Sequence, residues 1–164
     1  MNTLSPNFLR YGSDDDLPEL LPLRAGPLSL VYTGGDLRYI RLGDQLILHR
    51  LYVAVRDHNW DTIPARLSDL TIEQQVDGFR IRFRARHQQG AIDFAWDGSI
   101  DGSADGTIRF GMDGEVLSPF RRNRIGFCVL HPGAVAGVAC AVEHTDGSRT
   151  DGAFPDEISP HQPF

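Results

Sequence analysis

The chain has 164 residues and a mass of 18.2 kDa, the size of one domain, and its 41% hydrophobic and 23% charged residues exclude a disordered segment. Its net charge of −6 and pI near 5.4 speak against a nucleic-acid partner, which needs a basic surplus on one face, and no stretch approaches the run of about 18 apolar residues that a membrane-spanning helix requires. All 16 basic residues are arginine, which removes Schiff-base and lysine general-base chemistry.

The N-terminal stretch lacks the basic region and apolar run of a secretory leader, so a cytoplasmic location is expected. Residues 1–24 read as a short arm, in which Ser13 ahead of Asp14, Asp15 and Asp16 could cap a helical turn or two before Pro22. From Pro27 onward the hydrophobic pattern has period two, with turn residues recurring often. The expectation is an all-β fold, an antiparallel β-sandwich of mostly meander topology over residues 25–164, with its C-terminal end open to continuation. Strands are predicted near 27–33, 37–42, 45–56, 67–76, 79–87, 91–100, 107–117, 124–131 and 138–144. Gly34-Gly35-Asp36, Gly43-Asp44 and Asp77-Gly78 tolerate positive φ and mark hairpin turns.

In the strand starting at Phe79, Ile81, Phe83 and Ala85 alternate with Arg80, Arg82, Arg84 and Arg86, so one face is core and the other wet. A loop at His87-Gln88-Gln89-Gly90 would set Arg84 against Asp93, Arg80 against Asp97, Phe83 beside Phe94 and Ile81 beside Trp96. Such an arginine stripe could grip an anion, but the facing aspartates favour a mutually paired, solvated surface. The segment 45–56 carries apolar residues on both faces, which predicts a strand covered on both sides with His49 inside it as a hydrogen-bonded core residue.

Cys128 and His131 with Cys140 and His144 have the residue types of a zinc site. In extended strands, however, the first two point to opposite faces and the second two sit about 13 Å apart, so no metal is expected and both thiols should be free. Asp101-x-Ser103-x-Asp105-Gly106 resembles half of a calcium loop, but its twelfth position is Met112. Asp-Gly pairs at 97–98, 101–102 and 105–106 read as turns instead. No nucleophile elbow, phosphate-binding loop, dinucleotide fingerprint or zinc-protease motif is present, and no cofactor is expected.

Two polar clusters remain at strand ends, Arg56-Asp57-His58-Asn59-Trp60 and Arg121-Arg122-Asn123-Arg124. They admit two readings. Trp60 could offer a stacking face to a sugar acid or lactone that Arg56 and Arg124 hold through paired N–H groups, with Asp57, His58, Asn59, Arg122 and Asn123 around it. Alternatively, Trp60 closes the end of the core while Arg124 pairs with Asp57. His131 and His161 complete the candidate set as polar groups whose distance from these clusters spacing does not reveal.

Four stretches, LRAGPLSLVY, DLRYIRLGDQLILHRLYVAVRDHNWDTIP, RRNRIGFCVLHP and FPDEISPHQPF, resemble the opening part of the D-apionate lactonase family. The resemblance implies an N-terminal β-sandwich that, in longer members, precedes a TIM-type barrel and a further β-rich piece, and a reaction that opens a sugar-acid lactone. It breaks down at Asp61, where the family pattern has glycine, and in the short loop Gly133–Gly137, and it carries no catalytic residue onto this segment. The implied role is an accessory domain, not catalytic alone. A stand-alone sugar-acid binding module and a purely structural or oligomerising domain are the alternatives. An unpaired sheet edge would also permit a homodimer.

Overall fold

The computed structural model describes residues 5–12, 14 and 18–157. Two antiparallel sheets face each other across one core. In the first, the strands lie in the order β1 (Leu21–Ala25), β2 (Leu28–Thr33), β3 (Asp36–Leu42), β4 (Gln45–Asp57) and β9 (Arg122–Leu130). In the second they follow the sequence: β5 (Ala65–Gln74), β6 (Phe79–Gln89), β7 (Ile92–Gly102) and β8 (Ile108–Val116). A separate hairpin joins β10 (Ala139–Glu143) to β11 (Arg149–Ala153). The fold is thus an all-β antiparallel sandwich of two meanders, with one crossover that returns the chain from β8 to lie beside β4. Among the described residues, no helix is long and apolar enough to cross a membrane.

Two strands lie outside the predicted set. β1 falls in the segment expected to be an arm, where Leu21, Leu23 and Ala25 face inward but Pro22 interrupts the pattern. Proline is tolerated there because β1 is an edge strand. β11 has no apolar alternation at all, and its five residues are exposed. The helical turn α1 (Pro6–Tyr11) is capped by the Ser5 hydroxyl, which accepts from the Phe8 N–H at 2.9 Å, and it closes on Gly12 at φ 75°. The capping expected of Ser13, Asp15 and Asp16 lies outside the described residues.

The β6–β7 register differs from the predicted one by four residues. Arg84 lies opposite Asp97, Ala85 opposite Trp96 and Arg80 opposite Asp101. The cause is the turn. Instead of a four-residue loop, β6 continues to Gln89 and reverses over Gly90-Ala91, with Gly90 at φ 58° as a two-residue type II′ turn demands. Because the slip is even, every side chain keeps its face, so Phe79, Ile81, Phe83 and Ala85 are buried as expected. Gly98 and Gly102 are strand residues, not turns. A Cβ on Gly98 would stand 2.4 Å from the Phe83 ring, and one on Gly102 2.2 Å from the Phe79 ring, so the missing side chains make room for two core aromatics.

β4 also departs from expectation. Leu48, Leu51, Val53 and Val55 pack on the core, whereas the opposite face is only partly covered and His49 is exposed, its ring edge-on to Tyr39. Tyr39, at φ 52° in β3, shifts the in-out alternation midway through the β3–β4 pair and turns His49 outward with it.

Candidate functional site

After β4 the chain reverses over residues 57–61. The Asp57 carboxylate accepts from the Asn59 N–H at 2.8 Å and the Asp61 N–H at 3.0 Å, while Asp57 N–H donates to the Asp61 carbonyl at 3.0 Å. Ile63 N–H then donates to the Val55 carbonyl at 2.9 Å, fastening the returning chain to β4. These bonds hold Trp60 at φ 75°, a left-handed conformation that costs a non-glycine residue about 1–3 kcal/mol and persists only where neighbours impose it.

The indole so placed meets two guanidiniums. Arg56 Cζ lies 5.7 Å and Arg124 Cζ 5.2 Å from its ring centroid, both within cation–π range. Arg124 arrives from β9, which pairs with β4 so that Asp57 faces Arg122 and Val55 faces Ile125. Further along the same outer face, Ala54 lies opposite Gly126 and Tyr52 opposite Cys128, with Arg50 Cζ 3.8 Å from the Tyr52 centroid. Two arginine–aromatic contacts therefore flank a low floor of Ala54 and Gly126, about 13 Å apart by strand rise from Tyr52 to Arg56. Gly126 is at φ 149° and a Cβ there would meet nothing within 4 Å, so the backbone conformation, not crowding, calls for glycine.

The structure thus brings Arg56, Trp60 and Arg124 together and gives Asp57 a different role from the one expected of it. Its carboxylate is engaged by backbone N–H groups, and the alternative Arg124–Asp57 pair does not form. His58 and Asn59 are exposed at the loop tip, Arg122 is exposed opposite Asp57, and Asn123 is half-buried between the two arginines. His131 is not part of the cluster. It follows the far end of β9, about 30 Å from Arg122 by strand rise, with its ring 4.7 Å from that of Phe154. His161 lies outside the described residues. Arg50, Tyr52 and Gly126 belong to the same surface but carry no signal in the sequence, because only the β4–β9 pairing makes them neighbours.

A further residue that the motifs do not single out supports the loop from below. His87 is 2% exposed; its Nδ1 lies 2.8 Å from the Ile63 carbonyl, and its Nε2 accepts the Trp96 indole N–H at 3.0 Å. Since Nε2 accepts, Nδ1 must donate, so these partners assign one neutral tautomer. Burial holds the imidazole pKa below its ordinary 6.5. His87 therefore ties the segment just after Trp60 to the core. Its sequence signal is its place in the Phe79, Ile81, Phe83, Ala85 alternation.

The remaining motifs are absorbed by structure. Asp101 takes both oxygens to Arg82 at 2.9 and 3.0 Å, and Asp105 accepts from the Thr107 N–H at 2.9 Å, so these carboxylates close an ion pair and a turn. Arg84 pairs with Asp97 and Arg86 with Asp93, whose carboxyl is thereby held below the usual range. Cys128 and Cys140 are free thiols, and among the described residues no three His, Cys, Asp or Glu side chains cluster as metal ligands would. Two clefts of about 260 and 490 Å³ lie between the β1 and β5 edges, and no residue of the Trp60 cluster lines either of them.

Comparison with known proteins places these observations. The family profile described as D-apionate lactonase, N-terminal domain, matches residues 8–164. A D-apionate lactonase of Brucella anthropi is 36% identical over 166 residues, an alignment that takes in 100% of this chain and 27% of that protein. No solved structure matches the chain.

Proposed function

The chain belongs to the family of D-apionate lactonase N-terminal domains, and on that premise we propose that it is the accessory β-sandwich of a lactonase-like sugar-acid hydrolase, inactive by itself, which meets a sugar acid or lactone at Trp60. The chain spans 27% of the relative's length, so the chemistry is assigned to polypeptide beyond this domain. The carrying observation is the pair of guanidiniums within cation–π range of one indole, neither of them in an ion pair with a described carboxylate. Indole stacks on the C–H face of a sugar, and guanidinium N–H groups take a carboxylate in two parallel bonds.

The same surface supports binding more than catalysis. Lactone opening needs a nucleophile in contact with a base and donors aimed at the oxyanion. Here the Asp57 carboxylate is already bound by two backbone amides, and His58 sits at an exposed tip. Holding a substrate does not by itself lower its transition state. A cytoplasmic location, with no metal, cofactor or nucleic acid required, belongs to this proposal.

Calorimetry of the chain with D-apionate, read alongside Trp60 fluorescence, tests it. The expected result is weak saturable binding that Arg56→Ala and Arg124→Ala each weaken about tenfold, the loss of roughly one charge-assisted contact. No opening of the D-apionate lactone above its spontaneous rate is expected. Turnover by the chain alone, lost in His58→Ala, would make this sandwich the enzyme.

A further inference from the structure

The space between the sheets is closed along most of the sandwich but stays open along β9. Phe127 and Val129 face the core side, since they pair with Val53 and Leu51, yet they remain 45% and 44% exposed. Phe127 meets the Phe110 ring of β8 at 5.1 Å, and no strand among the described residues pairs with the outer edge of β9. At the end of this strand His131 packs on Phe154, which brings the base of the β10–β11 hairpin to the same place. Every residue of the hairpin strands except half-buried Cys140 is exposed, including Val142. A two-stranded hairpin with nothing on either face is marginally stable in water. An inward-facing apolar strip and an uncovered hairpin thus adjoin each other.

We propose that β9 and the β10–β11 hairpin form a docking face for the polypeptide that follows this domain in longer family members. The inference rests on the reading of the chain as an N-terminal accessory domain. The match to the relative leaves most of that protein outside the aligned region, and polypeptide continuing beyond residue 157 would leave from the foot of the hairpin, beside β9. A tethered body there is present at an effective concentration of about millimolar, whereas a second copy of the chain competes only at its bulk concentration. The occupant pairs an apolar strip with the free edge of β9 and straddles the hairpin.

The test places this chain in front of the polypeptide that follows the matched region in the Brucella anthropi relative and compares amide hydrogen exchange in that fusion with exchange in the chain alone. Amides of residues 122–130 and 139–153 should slow by at least about tenfold in the fusion, while β6 and β7 stay unchanged. Val142→Asp, at an exposed position, should remove the added protection of the hairpin and leave that of β6 and β7 intact. No added protection in the fusion overturns the proposal, as does equal protection in the chain alone from a concentration-dependent homodimer. Lactone opening by the same fusion separates this proposal from the functional reading. Dependence of activity on Arg56 and Arg124 with an unprotected hairpin sinks the docking face alone. A protected hairpin with activity indifferent to both arginines upholds the docking face and sinks only the sugar-acid reading.

Discussion

The β6–β7 pair and the β9 end of the sandwich have similar sequence patterns and opposite fates. In β6–β7 the inward residues Phe79, Ile81, Phe83, Phe94, Trp96 and Ile100 are buried, and outward Arg82, Arg84 and Arg86 each find an aspartate. In β9, Ile125, Phe127 and Val129 alternate as regularly, but β9 ends its sheet and two of the three face space that the opposite sheet does not fill. Alternation specifies which way a side chain points. Whether anything waits there depends on the strand's position in its sheet, and an apolar strand whose inner face is half open marks a surface that lacks its covering layer.

Truncation of one aromatic in each region tests this contrast most sharply. Phe83→Ala should cost about 3–5 kcal/mol in urea denaturation, since the ring packs edge-on to Trp96 and over Gly98, whereas Phe127→Ala should cost clearly less in the isolated chain. Equal losses would mean that β9 is as well packed as β6. Next, Gly98→Ala drives a Cβ into the Phe83 ring and should lower stability by about 1–3 kcal/mol by overpacking, read as a shifted midpoint with unchanged slope.

A smaller effect concerns pH. His87 is buried neutral with its pKa depressed, so as pH falls the unfolded chain takes up that proton before the folded one. Its contribution to stability is complete above 6.5 and is lost as pH drops from 6.5 toward the folded-state value. Denaturation midpoints should therefore fall over that window, and His87→Gln should flatten the dependence even if it lowers stability overall. A wild-type midpoint that is flat over the window would remove His87 from the core. Smallest of all, Arg84→Ala should leave the midpoint unchanged within error, because the pair with Asp97 is solvated on the outer face. A large loss there would show that the arginine stripe stabilises the pair and not merely its solubility.

Several of these features are legible in the amino-acid sequence. The alternation from Phe79 to Arg86 assigns inward and outward residues correctly, and the arginines of the wet face do pair with aspartates, but with other partners than predicted, Arg84 with Asp97 and Arg86 with Asp93. Residue type at strand ends selects Arg56, Trp60 and Arg124, and the fold places them in contact. The same criterion selects His131, which lies at the other end of β9, because nothing in local spacing tells which end of a strand a returning chain will meet. His49 is predicted inside and is outside, since the left-handed Tyr39 on the neighbouring strand turns it, and a strand's own sequence carries no record of its neighbour's kink.

What the sequence by itself determined was parity in β6 and β7, that is, which residues of those strands face in, and the reversals at Gly34-Gly35 and Gly43-Asp44, where glycine lets the chain turn. Parity is a property of the backbone's two-residue repeat and survives any even slip, which is why the β6–β7 faces hold although the register differs by four. Only the tertiary structure decided that register, through a two-residue turn at Gly90-Ala91, and only the crossover that sets β9 against β4 put Arg124 on Trp60 and left Phe127 half open. Those outcomes depend on which sheet edges meet, a competition among distant segments for hydrogen bonds and apolar area that no local pattern encodes.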